Sequence, residues 1–207
     1  MNIANKLTIM RVFMIPFFIA FLLYGGPEGH STLITVFRVL AFLTFIIASL
    51  TDYVDGKLAR KYNLESNFGK LFDPLADKML VTAAFVGFIE LDIFPAWIII
   101  LILCREFLVT GLRTLGVTQG RVIHADRWGK HKTVSQIVTI VATLFFISAK
   151  HVLIDLDIWG RLSMGQRGPD WWYLFVLNIA LYYCGILTVL SGFMYFYKNR
   201  DMLHDRY

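Results

Sequence analysis

The sequence predicts an all-α integral membrane protein: one domain of 207 residues with about six transmembrane helices, led by an amphipathic N-terminal segment in the membrane interface. Three observations predict it. Hydrophobic residues make up 57% of the chain and mean hydropathy is +0.61, more apolar than a soluble domain of this size. Apolar runs of bilayer-spanning length alternate with polar loops. Lys and Arg collect on every second loop.

Residues 1–11 begin polar and become amphipathic. Asn5, Thr8 and Arg11 recur at helical spacing, so a polar face runs into the first span, 7–24. A secretory signal peptide is the rival reading of this start, but it does not need a polar face. Residues 25–31, G-G-P-E-G-H-S, are a turn-rich loop. The second span covers 32–50, and Arg38 inside it either snorkels outward or faces a partner helix. A polar loop at 61–66 precedes the third span, near 71–91, whose far end is marked by Glu90 and Asp92. The fourth span, 93–115, carries Arg105, Glu106 and Arg113 in its second half. Arg105 and Arg113 are two turns apart and share a face, while Glu106 can pair with a cation or help a metal site. The basic loop 117–132 holds Arg121, Arg127, Lys130 and Lys132, and the fifth span covers 133–149. A longer far-side loop, 150–170, is apolar enough for a short interfacial helix. Pro169 suits a helix start, Trp171 and Trp172 an aromatic belt, and the sixth span is 172–197.

Six spans put both termini on the side of the loops near 61–66 and 117–132. Most Lys and Arg sit there, so that side faces the cytoplasm. The net charge of +5 is no nucleic-acid signal, because no basic run interleaves with aromatics. Cys104 and Cys184 lie in apolar runs without metal spacing and read as small core residues. The five histidines have no paired ligand spacing.

The stretch from Asp52 to Asp77 carries the chemistry. It reads D-Y-V-D-G-K-L-A-R, then eight residues, then G-K-L-F-D-P-L-A-D. On a helix Asp52, Asp55, Gly56 and Ala59 share one face, and Asp73 and Asp77 are one turn apart on a second helix. Pro74 fits that helix's first turn. A carboxylate at a membrane helix centre costs roughly 2.5–3.5 kcal/mol, and four also repel, so a cation should neutralise them. All-oxygen ligands favour a hard ion, Mg²⁺ first, with Mn²⁺ or Ca²⁺ possible. Four carboxylates on two helices can hold two ions, a common clamp for displacement at phosphorus. The plainer reading, aspartates that solvate a loop and cap helices, does not explain four at this spacing.

D-x2-D-G-x2-A-R-x8-G-x3-D-x3-D is met at Asp52, Asp55, Gly56, Ala59, Arg60, Gly69, Asp73 and Asp77. This resembles the signature of the CDP-alcohol phosphotransferases. The resemblance implies a membrane enzyme that displaces CMP from a CDP-linked alcohol by the hydroxyl of a second alcohol. It implies two Mg²⁺ ions held by Asp52, Asp55, Asp73 and Asp77, with Asp77 also the catalytic base. Gly56 and Ala59 would let the cytidine approach, and Arg60 would steady the donor phosphates. Asn5, Thr8, Arg11 and Gly69 complete the implied CDP-binding set. The segment C-R-E-F-L-V-T-G-L-R, the G-K-H-K-T at 129–133 and the N-I-A-N-K-L-T-I-M-R start are similar to phosphatidylglycerophosphate synthases of bacteria within that family. This implies CDP-diacylglycerol as donor, sn-glycerol 3-phosphate as acceptor and a homodimer in the bacterial inner membrane. Arg105, Arg113, Lys130 and Lys132 would bind the acceptor phosphate, Arg as a planar fork and Lys as a point charge. The chain departs from the pattern at Ala4, where Pro is frequent, and in its long far-side loop.

Serine or inositol phosphate are rival acceptors. Serine carries no phosphate and would not need Arg105, Arg113 and Lys132 together. A divalent-cation transporter would place its carboxylates near the bilayer midplane with access from both sides, whereas these lie at the ends of their helices.

Overall fold

The computed structural model describes residues 3–26, 32–62, 67–118, 127–159 and 168–198. Within its helices, the side chains of residues 3–8, 52–75, 77, 114–118, 127, 128 and 130 lie outside the description. The described residues form six helices and no strand: α1 Ile3–Leu23, α2 Thr32–Tyr62, α3 Asn67–Glu90, α4 Ala96–Thr118, α5 Arg127–Asp155 and α6 Pro169–Lys198. Among them, Thr32–Thr51, His131–Asp155 and Pro169–Lys198 are long and apolar enough to cross a bilayer, and Ile9–Leu23 is a shorter apolar helix. α3 and α4, of 24 and 23 residues, are about as long as the hydrocarbon core is thick.

On α6, burial is inverted relative to a soluble bundle. The buried face of α6 presents Cys184, Gly185, Thr188, Ser191 and Gly192 between Leu177 and Tyr195. Its exposed face carries Phe175, Val176, Ile179, Tyr183, Ile186 and Phe193. Small and polar residues inside with large apolar residues outside is the pattern of helices packed in lipid, where close approach drives association.

Helix ends differ from the sequence reading in three places. The interfacial segment and the first span are one helix, α1, despite Pro16 inside it. α5 begins at Arg127 and continues to Asp155, so the far-side loop starts later than its polarity suggests. The stop at Asp155 comes from backbone geometry: Asp157 is left-handed (φ 55°), with Ile158 N–H donating to Leu153 O at 2.9 Å and Asp157 N–H to Ile154 O at 2.9 Å. That is a Schellman cap. α3 ends the same way, with Asp92 at φ 55°, Ile93 N–H on Phe88 O and Asp92 N–H on Ile89 O. Both caps read Leu-Asp-Ile.

The chain divides into two compact units, residues 1–93 with 140–174, and residues 94–139 with 175–207. In the first, α1 and α2 run antiparallel: Phe18 meets Phe45 at 5.6 Å and Tyr24 meets Phe37 at 4.3 Å between ring centroids. α3 lies parallel to α1 and very close. A Cβ on Gly87 would stand 2.6 Å from Leu22 Cδ2, so any side chain there would have to displace the end of Leu22. Arg38, 2% exposed, faces the helix partners and does not snorkel. Its Nη2 donates to Gly26 O at 2.6 Å, and Ser148 Oγ on α5 donates to its carbonyl at 3.1 Å. Between α5 and α6, Lys150 pairs with Asp170 at 2.5 Å, and Trp159 Nε1 donates to the same carboxylate at 3.3 Å.

In the second unit α4 and α6 run parallel. Trp97 faces Tyr182 at 6.1 Å, and Val109, Leu112 and Tyr195 form a small core further along.

Candidate active site

The signature aspartates all lie on helices, Asp52 and Asp55 on α2, Asp73 and Asp77 on α3. Their side chains, and those of Arg60, Asn5 and Thr8, lie outside the described residues, as do the surroundings of Gly56, Ala59 and Gly69. The helix register nevertheless fixes their levels. α1 pairs with α2 at Phe18–Phe45. Seven residues, two turns, further along each antiparallel helix, position 52 stands level with Arg11, and position 55 is level with position 8. α1 pairs with α3 at Leu22–Gly87. Eleven residues back along each parallel helix, position 76 stands level with Arg11 and position 73 with position 8. Counted this way along straight helices, positions 5, 8 and 11 of α1 would come level with both halves of the signature.

Two described residues at that level have the expected character. Arg11 is 2% exposed, so it is not an anchor reaching for the membrane surface. A buried guanidinium needs anionic or hydrogen-bonding company. Ala76, between Asp73 and Asp77, is fully buried, as a small residue at a close helix approach should be. Among the described residues no cluster of three or more His, Cys, Asp or Glu can hold a metal ion. The four aspartates form an all-oxygen anionic donor set whose chemistry fits a hard divalent ion.

The second unit brings together part of the predicted acceptor site. Lys132, 2% exposed on α5, forms an ion pair with Glu106 on α4. Gln136 Nε2, one turn on, donates to the same Oε1 at 3.3 Å. Arg105 Nη1 lies 3.9 Å from that oxygen, and Arg105 Nη2 donates to Ser191 Oγ on α6 at 2.6 Å. A Cβ on Gly192 would come 2.8 Å from Arg105 Cγ, so glycine makes room for the arginine. Glu106 therefore pairs with a cation, one of its two predicted uses. Arg113 is on α4 about 12 Å beyond Arg105 with its side chain exposed. The Lys130 side chain lies outside the described residues.

Sequence reasoning missed Gln136, Ser191 and Gly192. The signal for Gln136 was present: Lys132, Gln136, Thr139 and Thr143 recur at helical spacing, and all four are buried. Ser191 and Gly192 sit in an apolar run with nothing local to mark them.

Residues 1–183 match the model of the family described as CDP-alcohol phosphatidyltransferase. The chain is 39% identical over 210 residues to a Bacillus subtilis (strain 168) protein named CDP-diacylglycerol--glycerol-3-phosphate 3-phosphatidyltransferase, covering 98% of this chain and 97% of that one. A Rickettsia typhi protein of the same name is 34% identical over 196 residues, 94% of this chain and 95% of its own. A Mycobacterium tuberculosis (strain CDC 1551 / Oshkosh) protein named probable phosphatidylglycerophosphate synthase is 44% identical over 139 residues, 67% of this chain and 64% of its own. Signature and near full-length similarity agree, and this chain belongs to the CDP-alcohol phosphatidyltransferase family.

Proposed function

We propose that the protein transfers the phosphatidyl group of CDP-diacylglycerol to sn-glycerol 3-phosphate, giving phosphatidylglycerophosphate and CMP, a step toward phosphatidylglycerol and cardiolipin. The observation that carries this reading is similarity along nearly the whole chain to proteins named for that reaction. The cation cluster of Arg105 and Lys132 supports an acceptor that carries a phosphate.

Asp52, Asp55, Asp73 and Asp77 would hold two divalent ions, Mg²⁺ first, which neutralise the donor pyrophosphate and the leaving phosphate of CMP. Arg60 steadies the donor, Asn5, Thr8 and Arg11 face the nucleotide from α1, and Gly56, Ala59 and Gly69 leave room for it. Arg105, Lys132, Arg113 and Lys130 hold the acceptor phosphate. Asp77 takes the proton of the acceptor's 1-hydroxyl as that oxygen attacks the phosphorus bearing diacylglycerol. The enzyme works as a homodimer in a bacterial inner membrane, with site and termini on the cytoplasmic side.

The test is CMP release by purified, folded protein in detergent with CDP-diacylglycerol and Mg²⁺, offering glycerol 3-phosphate, serine or inositol phosphate, with an EDTA control. Release with glycerol 3-phosphate alone, lost in EDTA, is expected. Release with another acceptor would overturn the acceptor assignment, and release with none would overturn the transferase reading.

A further inference from the structure

Arg105 and Lys132 come from different helices, α4 and α5, and two like charges do not stay together unaided. One carboxylate oxygen, Glu106 Oε1, serves both: it pairs with Lys132 and stands 3.9 Å from Arg105 Nη1. Gln136 Nε2 approaches the same atom at 3.3 Å, fixing the carboxylate from the next turn of α5. From α6, Ser191 Oγ accepts the Arg105 Nη2 proton at 2.6 Å and passes its own to Thr188 O at 3.3 Å. Gly192 leaves the arginine stem the space it occupies.

Arg105 is anchored through one nitrogen only. Its Nη1 is too far from Glu106 for a hydrogen bond, and its Nε is buried without a partner. A partly exposed guanidinium held at one corner, with donors unused, is preorganised for an anion that reaches it. Two cations against one carboxylate leave an excess positive charge for that anion.

We propose that Glu106 and Ser191 are positioning residues for the acceptor phosphate: Glu106 holds Lys132 and Arg105 around a single oxygen atom, and Ser191 fixes the rotation of the Arg105 guanidinium. This rests on the reading of Arg105 and Lys132 as the acceptor-phosphate pair. Neither Glu106 nor Ser191 need touch the substrate.

The test is steady-state kinetics in mixed micelles, with KM measured separately for glycerol 3-phosphate and for CDP-diacylglycerol. Ser191→Ala should raise the acceptor KM about tenfold, the effect of one lost charge-assisted hydrogen bond, with the donor KM unchanged. Ser191→Thr, which keeps the hydroxyl, should restore most of it. Glu106→Gln keeps the shape but removes the shared charge and should raise the acceptor KM at least as much. Gly192→Ala, which pushes on Arg105 without removing a polar group, should produce the same split. Unchanged acceptor KM in Ser191→Ala and Glu106→Gln, or a rise confined to the donor KM, overturns the proposal and leaves the transferase reading standing. A wild type whose CMP release does not depend on glycerol 3-phosphate overturns both.

Discussion

Arg38→Met should leave the protein as stable as the wild type or more stable, although it removes a buried ion and a 2.6 Å hydrogen bond. In the wild type, Arg38 Nη2 donates to Gly26 O. A hydrogen bond from a charged group contributes about 1.5–3 kcal/mol. Against it stand two buried donor nitrogens without partners, Nε and Nη1. Each orphaned donor costs about 1–3 kcal/mol. The guanidinium is only 2% exposed, and the described ion pairs do not include it. Methionine fills the space of the stem with a flexible apolar chain. Gly26, half-buried at the end of α1, can pass its carbonyl to water. At mid-range the two orphaned donors outweigh the bond by about 2 kcal/mol in favour of Met, a rise of about 4–8 °C for a chain of this size. In a Cys104→Ser background the buried Cys184 is the remaining thiol, and a thiol-reactive dye reports its exposure on heating. CMP release should be unchanged, because Arg38 is about 21 Å from position 52 along α2. A fall of 4 °C or more would refute the reasoning, since it would mean the guanidinium is fully satisfied where it lies.

Gly87→Val should cost about 2 kcal/mol, because the new side chain meets Leu22 at 2.6 Å and Leu22 is fully buried with nowhere to turn; the melting temperature in detergent checks this. Asp157→Gly should stabilise by about 1 kcal/mol and Asp157→Val should destabilise, since position 157 is left-handed at φ 55°. Lys132→Met should destabilise by about 3 kcal/mol by stranding Glu106, and adding Glu106→Gln should recover most of the loss; additive effects in that double-mutant cycle would deny the pair. Asp77→Asn should abolish turnover without lowering the melting temperature, and normal CMP release from that variant would exclude Asp77 as the base.

The sequence made the six helices legible because their apolar stretches are as long as a bilayer is thick. It did not show where helices end once they leave the apolar zone. α5 begins among Arg127, Gly129 and Lys130, where polarity argues for loop, and tertiary packing of Lys132 and Gln136 keeps it helical. Nor does the Leu-Asp-Ile at 156–158 read as a helix stop, because aspartate rather than glycine takes the left-handed position. The aspartate signature is read from spacing and resemblance, and its side chains lie outside the described residues. The companions of Arg105 were not, because Ser191 follows it by 86 positions and only the parallel packing of α4 and α6 brings them together. Arg38 left two readings open because one arginine in an apolar run does not say which face it is on.

α2 outruns its own apolar stretch. Thr32–Thr51, 20 residues, spans about 30 Å, the thickness of the hydrocarbon core, yet the helix continues to Tyr62. On the proposed reading, residues 52–62 continue at the depth of lipid headgroups, where a lipid-linked pyrophosphate already lies. On the proposed reading, the donor reaches the enzyme by lateral diffusion within one leaflet, a search in two dimensions, while the acceptor and CMP exchange with bulk water in three. The rate should then follow the donor's mole fraction in the surface: diluting CDP-diacylglycerol with inert detergent at constant bulk concentration should slow turnover, whereas the same dilution should leave the dependence on dissolved glycerol 3-phosphate unchanged.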